Sequence, residues 1–283
     1  MVKRYLYLLF EGRWNNSKDD LTKNIQFNTV VRKVYYDDST KKFTVEAETF
    51  GDNKVTETLA ETFDYVIVAV GIFHVPNKPL FEGLDQFEGR VLHVHDMRDA
   101  HEFSDQRVLV VGGGYSAEDV TLHCIKFGAK HVTITHRSTS MGFEWPPGVD
   151  ERPLLQKVQG NTVFFKDGSE TDVDAIIMCT GYLYSFPFLE SRLRLVSDVT
   201  LYPTGLHVGT VWRAAGDGRL LYMGVQNQVF TMPMFDAQAR WIARYAPNEL
   251  SSFYFLPKRK GLTSTVSRCF LYTFVISLYL VHR

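Results

Sequence analysis

A glycine-rich turn near the middle of the chain has the residue types and spacing of a dinucleotide-binding loop. Within VLVVGGGYSAEDV, residues 108–120, Gly112, Gly114 and Ala117 occupy the three small-residue positions of the pattern GxGxxG/A. The first glycine of this pattern allows a tight exit from a strand, and the second lets the backbone approach a pyrophosphate. The third small residue lets the following helix pack closely on the strand. The sequence therefore predicts a pyrophosphate-binding turn at this position.

The segments on either side of the turn agree with that prediction. The apolar run at 107–112 predicts a buried strand, and residues 116–128 predict a helix. The amides of Tyr115 and Ser116 would then open the helix, where the helix dipole favours a phosphate group. A GxGxxG match in an unplaced loop is a weak signal, and the flanking strand and helix make this match informative.

The strand that follows, HVTITHR at 131–137, discriminates between the two nicotinamide cofactors. An NAD site carries Asp or Glu about 20 residues after the glycine turn to bind the ribose 2′-hydroxyl, whereas an NADP site has a cation there. The chain has no acidic residue at 135–138, and the guanidinium of Arg137 suits a 2′-phosphate through paired charge-assisted hydrogen bonds. The sequence therefore favours NADP(H), and a solvated surface arginine is the alternative interpretation of Arg137.

The neighbouring segments place this turn in an α/β fold. Apolar runs ending in glycine at 63–71 and 174–181 predict further buried strands, and residues 25–50 predict a β-hairpin around a polar turn. Strands that alternate with helices form parallel sheets. We therefore expect a compact dinucleotide-fold module at 104–178, inserted into a second domain.

Composition and charge limit the kinds of partner. With 45% apolar residues the 283-residue chain can form a packed core, and its net charge of −1 gives no broad field to attract nucleic acid or an anionic membrane. The three cysteines, Cys124, Cys179 and Cys269, form neither a CxxC pair nor a metal-ligand spacing. We therefore expect a small-molecule ligand, no nucleic acid, no metal and a reducing, cytoplasmic compartment.

A second motif lies just before the glycine turn. In FEGRVLHVHDM, residues 87–97, Phe87, Gly89 and His93 match a fingerprint of flavin-containing monooxygenases, and Met97 departs from its final aromatic position. Further matches to that family are SAED after the turn, CTGY at 179–182, FPFL at 186–189 and MFDAQA at 234–239. The chain resembles this family, and it is more similar to the trimethylamine monooxygenase branch than to the animal microsomal branch.

The resemblance implies an enzyme that uses two cofactors, FAD and NADPH. In the family, NADPH reduces FAD, the reduced flavin takes up molecular oxygen as a C4a-hydroperoxide, and a soft nitrogen or sulfur nucleophile attacks it. The implied substrate is a small amine or sulfide, such as a tertiary amine, and the full-length form is compatible with a homodimer. The protein would orient the cofactors and exclude water.

The resemblance also assigns residues to the two cofactors. Residues implied at NADP are Gly112, Gly113, Gly114, Tyr115, Ser116 and Arg137, and residues implied at FAD are Val31, Gln226 and Gln228. Tyr115 and Asn227 are the candidates for a place near the reacting flavin, although relatives carry an acid where this chain has Asn227. The alternatives are that Val31 is a plain core residue and that the two glutamines form a polar loop tip. For His93 the alternative to acid or base chemistry is a structural hydrogen bond, which the sequence favours.

The family carries a second glycine turn, for FAD, that this sequence does not show. The glycines before residue 100 form no GxGxxG, so we expect the chain to begin inside the family pattern and to lack catalytic activity alone. The expected division is a partial FAD-binding domain at 1–103 and 179–245, an NADP-binding domain at 104–178, and a tail without family character at 246–283.

Two structural consequences are expected of such a division. The apolar faces of residues 63–71 and 220–225 should be uncovered, since inner strands of the flavin domain would be missing. The apolar run at 269–281, about 13 residues against the ~20 that span a bilayer, does not predict a membrane anchor. The competing functional hypotheses are a flavin disulfide reductase, which the lack of CxxC opposes, and a non-catalytic NADP-binding protein.

Overall fold

The computed structural model describes residues 26–52, 54–137, 140–196, 203–226 and 230–245. These residues form two compact units. One is Pro76–Tyr182, and the other combines residues that precede Pro76 with residues that follow Tyr182. The unit at Pro76–Tyr182 extends beyond both ends of the module predicted at 104–178.

The strands and helices follow one another in three blocks along the chain. Before Pro76 lie β1 (Thr29–Asp37), β2 (Lys42–Gly51), β3 (Lys54–Phe63) and β4 (Val66–Val68). Between Pro76 and Tyr182 lie β5 (Arg90–His93), β6 (Arg107–Val111), α1 (Tyr115–Lys126), β7 (His131–Thr135), β8 (Val149–Arg152), β9 (Leu155–Gln159), β10 (Thr162–Phe165), β11 (Glu170–Asp172) and β12 (Ala175–Met178). After Tyr182 lie β13 (Leu206–His207), β14 (Val211–Trp212), β15 (Leu220–Tyr222) and α2 (Thr231–Tyr245).

A five-stranded parallel sheet in the order β5-β12-β6-β7-β8 is the centre of the Pro76–Tyr182 unit. The predicted parallel sheet is therefore confirmed. The inner strands β6 and β12 carry continuous apolar runs at 108–111 and 175–178 because both faces are covered, and all eight of these residues are buried. Helix α1 crosses from β6 to β7 and buries Ala117, Val120, Thr121 and Cys124, which recur at helical spacing. A small antiparallel sheet, β11-β10-β9, belongs to the same unit.

Arg107 and Asp174 fix the amino ends of the two central strands, β6 and β12. The Arg107 guanidinium donates to both carboxylate oxygens of Asp174, at 2.7 and 3.1 Å, and the Arg107 amide donates to one of them at 2.8 Å. The Asp174 amide in turn donates to the Arg107 carbonyl at 2.8 Å. These four hydrogen bonds fix the register of β6 against β12 at the amino ends of the two strands.

The other unit contains an antiparallel sheet and a mixed sheet. β1, β2 and β3 form the antiparallel sheet, so the hairpin predicted at 25–50 is confirmed, and β3 is a strand that the sequence pattern did not predict. The mixed sheet has the order β13-β14-β15-β4, with β15 parallel to β4. The strand predicted at 63–71 is shorter than expected, because β4 pairs with β15 over only Val66–Val68.

The expectation that residues 63–71 and 220–225 leave apolar faces uncovered is wrong. Val66, Val68, Leu220 and Tyr222 are buried in a cluster that includes hairpin side chains such as Phe43 and Val45. On the opposite side, Leu221 is buried together with Ile242 of α2. The antiparallel sheet covers one of these apolar faces and α2 covers the other, whereas the sequence suggested that missing strands would be needed to cover them. In the described ranges, neither helix has the length and apolar character that a bilayer span needs.

Replacement of Asp174 by asparagine tests the clamp between β6 and β12. Hydrogen bonds from the side chain and amide of Arg107 lower the pKa of the Asp174 carboxyl from 3.8 to about 2. A lowered folded-state pKa stabilises the fold above pH ~4, and this contribution is lost as the pH falls through about 2. We expect Asp174→Asn to lower the free energy of unfolding at neutral pH by about 0.5–1 kcal/mol, a value reduced for solvent screening of this half-exposed pair.

The measurement is urea unfolding of both proteins across a pH series. The difference in stability should shrink below pH ~4, because the unmodified carboxyl is then increasingly protonated. Glu88→Gln, at an exposed carboxylate with no bonded partner in the described ranges, is the control. A difference that is independent of pH would contradict the assigned role of the charge.

Candidate nucleotide-binding site

The glycine turn lies between β6 and α1, so the predicted arrangement of strand, turn and helix is confirmed. Gly112 has a φ of 149°, and a Cβ built there would lie 2.3 Å from the Cys179 carbonyl oxygen at the end of β12. The Gly112 amide donates to the Thr135 carbonyl at the end of β7, at 2.9 Å. The carboxyl ends of β6, β7 and β12 therefore meet at this glycine, which is the edge of a parallel α/β sheet where ligands bind.

The residues after Gly112 present free hydrogen-bond donors. Gly113, Gly114, Tyr115 and Ser116 are exposed, and within the described part of the chain their amides donate to no protein acceptor. Gly114 caps α1 without a side-chain hydrogen bond, and a Cβ built there meets no atom within 4 Å. Free amides at a helix N-terminus attract an anion, and the open space at Gly114 lets it approach the backbone.

Arg137 provides a cation at the end of the neighbouring strand. It is exposed two residues after β7, and no hydrogen bond or ion pair to a residue in the described ranges occupies its guanidinium. The structure thus brings the glycine turn and Arg137 to the carboxyl ends of adjacent strands. The glycine turn and the residues after β7 are in close contact at Gly113, because a Cβ there would lie 3.2 Å from the His136 Cβ.

Glu151 on β8 is an acidic residue near this site that the sequence reasoning missed. In the pairing of β7 with β8, Glu151 lies opposite Ile134, and its Oε2 lies 3.7 Å from His136 Nε2. Its carboxylate accepts the Met141 amide at 3.1 Å and the Trp145 indole N–H at 2.5 Å. Burial opposes ionisation, but hydrogen bonds from Ser140, Trp145 and Met141 hold the pKa of Glu151 below its usual value.

Two of the residues implied at FAD, Val31 and Gln226, lie in the other unit, and the side chains of both contact other protein residues. Val31 is a residue of β1, and its side chain is buried in the core. The Gln226 side chain donates to the Gly209 carbonyl and accepts from Gln238 Nε2 at 2.8 Å, while Gln238 Oε1 accepts the Gly224 amide at 3.0 Å. The three links form a buried amide relay from α2 to the β13–β14 turn. Gln228 and Asn227 lie outside the described residues.

The turn at the end of this relay is strained. Val208 and Gly209 both have positive φ, 50° and 64°, and the Thr210 amide donates to the His207 carbonyl at 3.0 Å. A valine rarely adopts this backbone conformation, since its branched side chain crowds the carbonyl. The Gln226 side chain, which donates to the Gly209 carbonyl, and the Tyr222 amide of β15, which donates to the Thr210 carbonyl at 2.8 Å, both hold this turn.

The structural interpretation of His93 is the one that its environment supports. The side chain is fully buried, its Nε2–H donates to the Gly181 carbonyl at 3.0 Å, and its Nδ1 accepts the His95 amide at 3.1 Å. Burial lowers the pKa of His93, so the ring is neutral with one nitrogen donating and the other accepting. Both ring nitrogens are used, which leaves no free site for proton transfer.

The thiols of the described cysteines are unsuited to disulfide exchange. Burial raises the pKa of Cys124 to about 11 and that of Cys179 to about 12, so neither is a thiolate at neutral pH. Cys269 lies outside the described residues. In the ranges that the structure describes, His, Cys, Asp and Glu form no cluster that could hold a metal ion.

Two family models match consecutive parts of the chain. Residues 18–147 match pyridine nucleotide-disulphide oxidoreductases, and residues 148–264 match flavin-binding monooxygenase-like proteins. The chain is 51% identical over 227 residues to a trimethylamine monooxygenase of Methylocella silvestris, which covers 80% of this chain and 49% of that protein. It is 47% identical over 229 residues to a trimethylamine monooxygenase of Pelagibacter sp. (strain HTCC7211), which covers 81% of this chain and 50% of that protein.

A solved structure is similar over most of the chain. The crystal structure of Tmm from Pelagibacter sp. strain HTCC7211 superposes with a TM-score of 0.73 at 38% identity, over 93% of this chain and 60% of that one. The chain spans about half the length of the curated relatives it matches.

Alanine at Gly112 and at Gly114 should have different effects. We expect Gly112→Ala to lower stability, because its Cβ would meet the Cys179 carbonyl and strain the backbone. Gly114→Ala should keep the melting temperature, since its Cβ meets no atom, yet weaken dinucleotide binding about tenfold or more by blocking the approach of a pyrophosphate. Thermal unfolding and a binding titration on both variants give the result. Unchanged binding by Gly114→Ala would contradict the site.

Proposed function

The chain belongs to the flavin-containing monooxygenase family and has its α/β fold with two dinucleotide-binding domains, and from that premise we propose that it binds NADPH at the glycine turn. The observation that carries this proposal is the exposed Arg137, which has no hydrogen-bond or ion-pair partner in the described ranges, beside the amides of residues 113–116, which have no protein acceptor there. The amides of Gly113 to Ser116 would hold the pyrophosphate, and the Arg137 guanidinium would hold the 2′-phosphate. Tyr115, which is 73% exposed, offers its ring beside these donors.

The proposed reaction of the whole protein is the oxygenation of a small amine or sulfide. When bound, NADPH would supply a hydride and FAD would activate molecular oxygen. The relatives are named for trimethylamine, and we extend that substrate class to this protein on 51% identity over 227 residues. Among the described residues, those implied at FAD are Val31 and Gln226, and the relay from Gln238 holds the Gln226 side chain.

A disulfide reductase is the less supported function, although one matching family model includes such enzymes. Exchange needs a thiolate beside a second cysteine, and the two described thiols are buried with raised pKa values. A protein that binds NADP without catalysis is the second alternative, and a substrate-dependent assay separates it from the proposal.

The choice of cofactor can be measured on this chain directly. We expect NADPH to bind at least about tenfold tighter than NADH, a preference of about 1.4 kcal/mol, because Arg137 engages the 2′-phosphate. Arg137→Ala should erase most of that preference and leave NADH binding unchanged. Titrations that monitor nicotinamide fluorescence give both dissociation constants. Equal affinities in the unmodified protein would rule out the proposed 2′-phosphate site.

The proposed reaction predicts oxidation of NADPH that depends on an oxygenatable amine. With the whole protein loaded with FAD, trimethylamine should stimulate NADPH oxidation and yield the N-oxide. Tetramethylammonium is the matched control, since its nitrogen has similar substituents but no lone pair to accept an oxygen atom. The measurements are NADPH absorbance and product detection by mass spectrometry. Binding of NADPH without formation of an oxygenated product would favour the non-catalytic alternative.

A further inference from the structure

One carboxylate holds the chain on both sides of Arg137. Before Arg137, His136 Nε2 lies 3.7 Å from Glu151 Oε2, within the distance of an ion pair, and the His136 amide donates to the Arg152 carbonyl at 3.3 Å. After it, the Ser140 hydroxyl and the Met141 amide hydrogen bond to the same carboxylate, the latter at 3.1 Å. Residues 136 and 140–141 therefore have a common anchor, and Arg137 lies between its two attachment points.

The anchor is largely buried, and its partners are packed. The side chains of Glu151 and His136 are only 12% and 13% exposed. A third donor, Trp145 Nε1, reaches Glu151 Oε1 at 2.5 Å, and the indole ring packs against the apolar core beside α1. A buried carboxylate persists only when it is paired and hydrogen-bonded, and the Met141 amide and the Trp145 indole N–H supply one hydrogen bond to each oxygen of Glu151.

The same contacts exclude a different role for this acid. In an NAD site, an acid at this edge of the sheet would accept a hydrogen bond from the ribose 2′-hydroxyl. Both oxygens of Glu151 already accept hydrogen bonds from protein donors, and the side chain is nearly buried. The Glu151 carboxylate therefore binds protein donors and is not available to a ligand.

We infer that Glu151 is a positioning residue for Arg137 and thereby sets the preference of the site for a 2′-phosphate. The inference rests on the proposed binding of NADPH. A guanidinium recognises a phosphate through two parallel hydrogen bonds, and such recognition requires a fixed approach of the backbone that carries it. Glu151 supplies that fixed approach without touching the ligand.

The test compares two substitutions that remove the same charge from the same part of the chain. Glu151→Gln keeps the side-chain size, but its amide group can accept hydrogen bonds at only one atom, so at least one donor loses its partner. Glu144→Gln is the matched control, because Glu144 is exposed in the same loop and has no bonded partner in the described ranges. The dissociation constants of NADPH and NADH are measured for the 283-residue chain and both variants, with the melting temperature of each.

We expect Glu151→Gln to reduce the preference for NADPH over NADH about fivefold with little change in NADH affinity, and Glu144→Gln to leave the preference intact. In an Arg137→Ala background, Glu151→Gln should have no further effect on the preference, since the group that it positions is absent. Trp145→Phe, which removes one donor and keeps an aromatic ring, should reduce the preference in the same direction. If Glu151→Gln does not fold, the preference measured for Trp145→Phe tests the inference in its place.

Three outcomes would overturn the inference. They are a preserved preference in the Glu151 and Trp145 variants, an equal loss of affinity for both nucleotides, or a further loss in the Arg137→Ala background. An unmodified protein without a preference for NADPH would instead overturn the proposed cofactor, and the inference with it. The first three results leave the proposed cofactor standing, so the two failures are distinguishable.

Discussion

The close approach of two backbones at Gly112 determines the geometry of the nucleotide site. A Cβ at this position would lie 2.3 Å from the Cys179 carbonyl, so only glycine lets β6 turn beside the end of β12. Because the chain turns there, α1 begins at Tyr115, and its first amides have no protein acceptor among the described residues. The hydrogen bonds between Arg107 and Asp174 fix the opposite ends of the same strands, which sets the register that produces this contact.

Features encoded by adjacent residues were predictable from the sequence. The strand, turn and helix around Gly112, the hairpin at 25–50 and the position of Arg137 after β7 each follow from a short local pattern. Glu151 was not predictable in the same way, because it reaches His136 and Met141 only through the pairing of β7 with β8. Strand β3 was missed because its residues are mostly exposed and lack an apolar alternation. The cover that α2 gives to Leu221 likewise joins distant segments, so local reasoning wrongly left that face open.

Several polar residues that suggested chemistry serve the backbone in this structure. His93 uses both ring nitrogens on main-chain groups, and Gln226 and Gln238 use their amides on one another and on two glycines. Burial makes each of these bonds obligatory, since an unpaired polar atom in the interior costs about 1–3 kcal/mol. Arg137 and Tyr115 differ from these residues, because they are exposed and their polar side-chain atoms have no partner among the described residues. Burial and bonding thus separate the residues that shape the site from those that can meet a ligand.

The amide relay also constrains how this sequence can change over evolutionary time. Each glutamine donates through its nitrogen and accepts through its oxygen, so the relay runs in one direction from the Gly224 amide to the Gly209 carbonyl. A glutamine codon becomes a glutamate codon by a single base change, and the resulting carboxylate has no N–H to pass the bond onward. At position 226 it would face the Gly209 carbonyl with a second acceptor, and at position 238 it would face the oxygen of Gln226. A change to glutamate at either position alone therefore breaks the relay, and a compensating change at the other position or in the turn at Val208 would be needed to satisfy the buried acceptors.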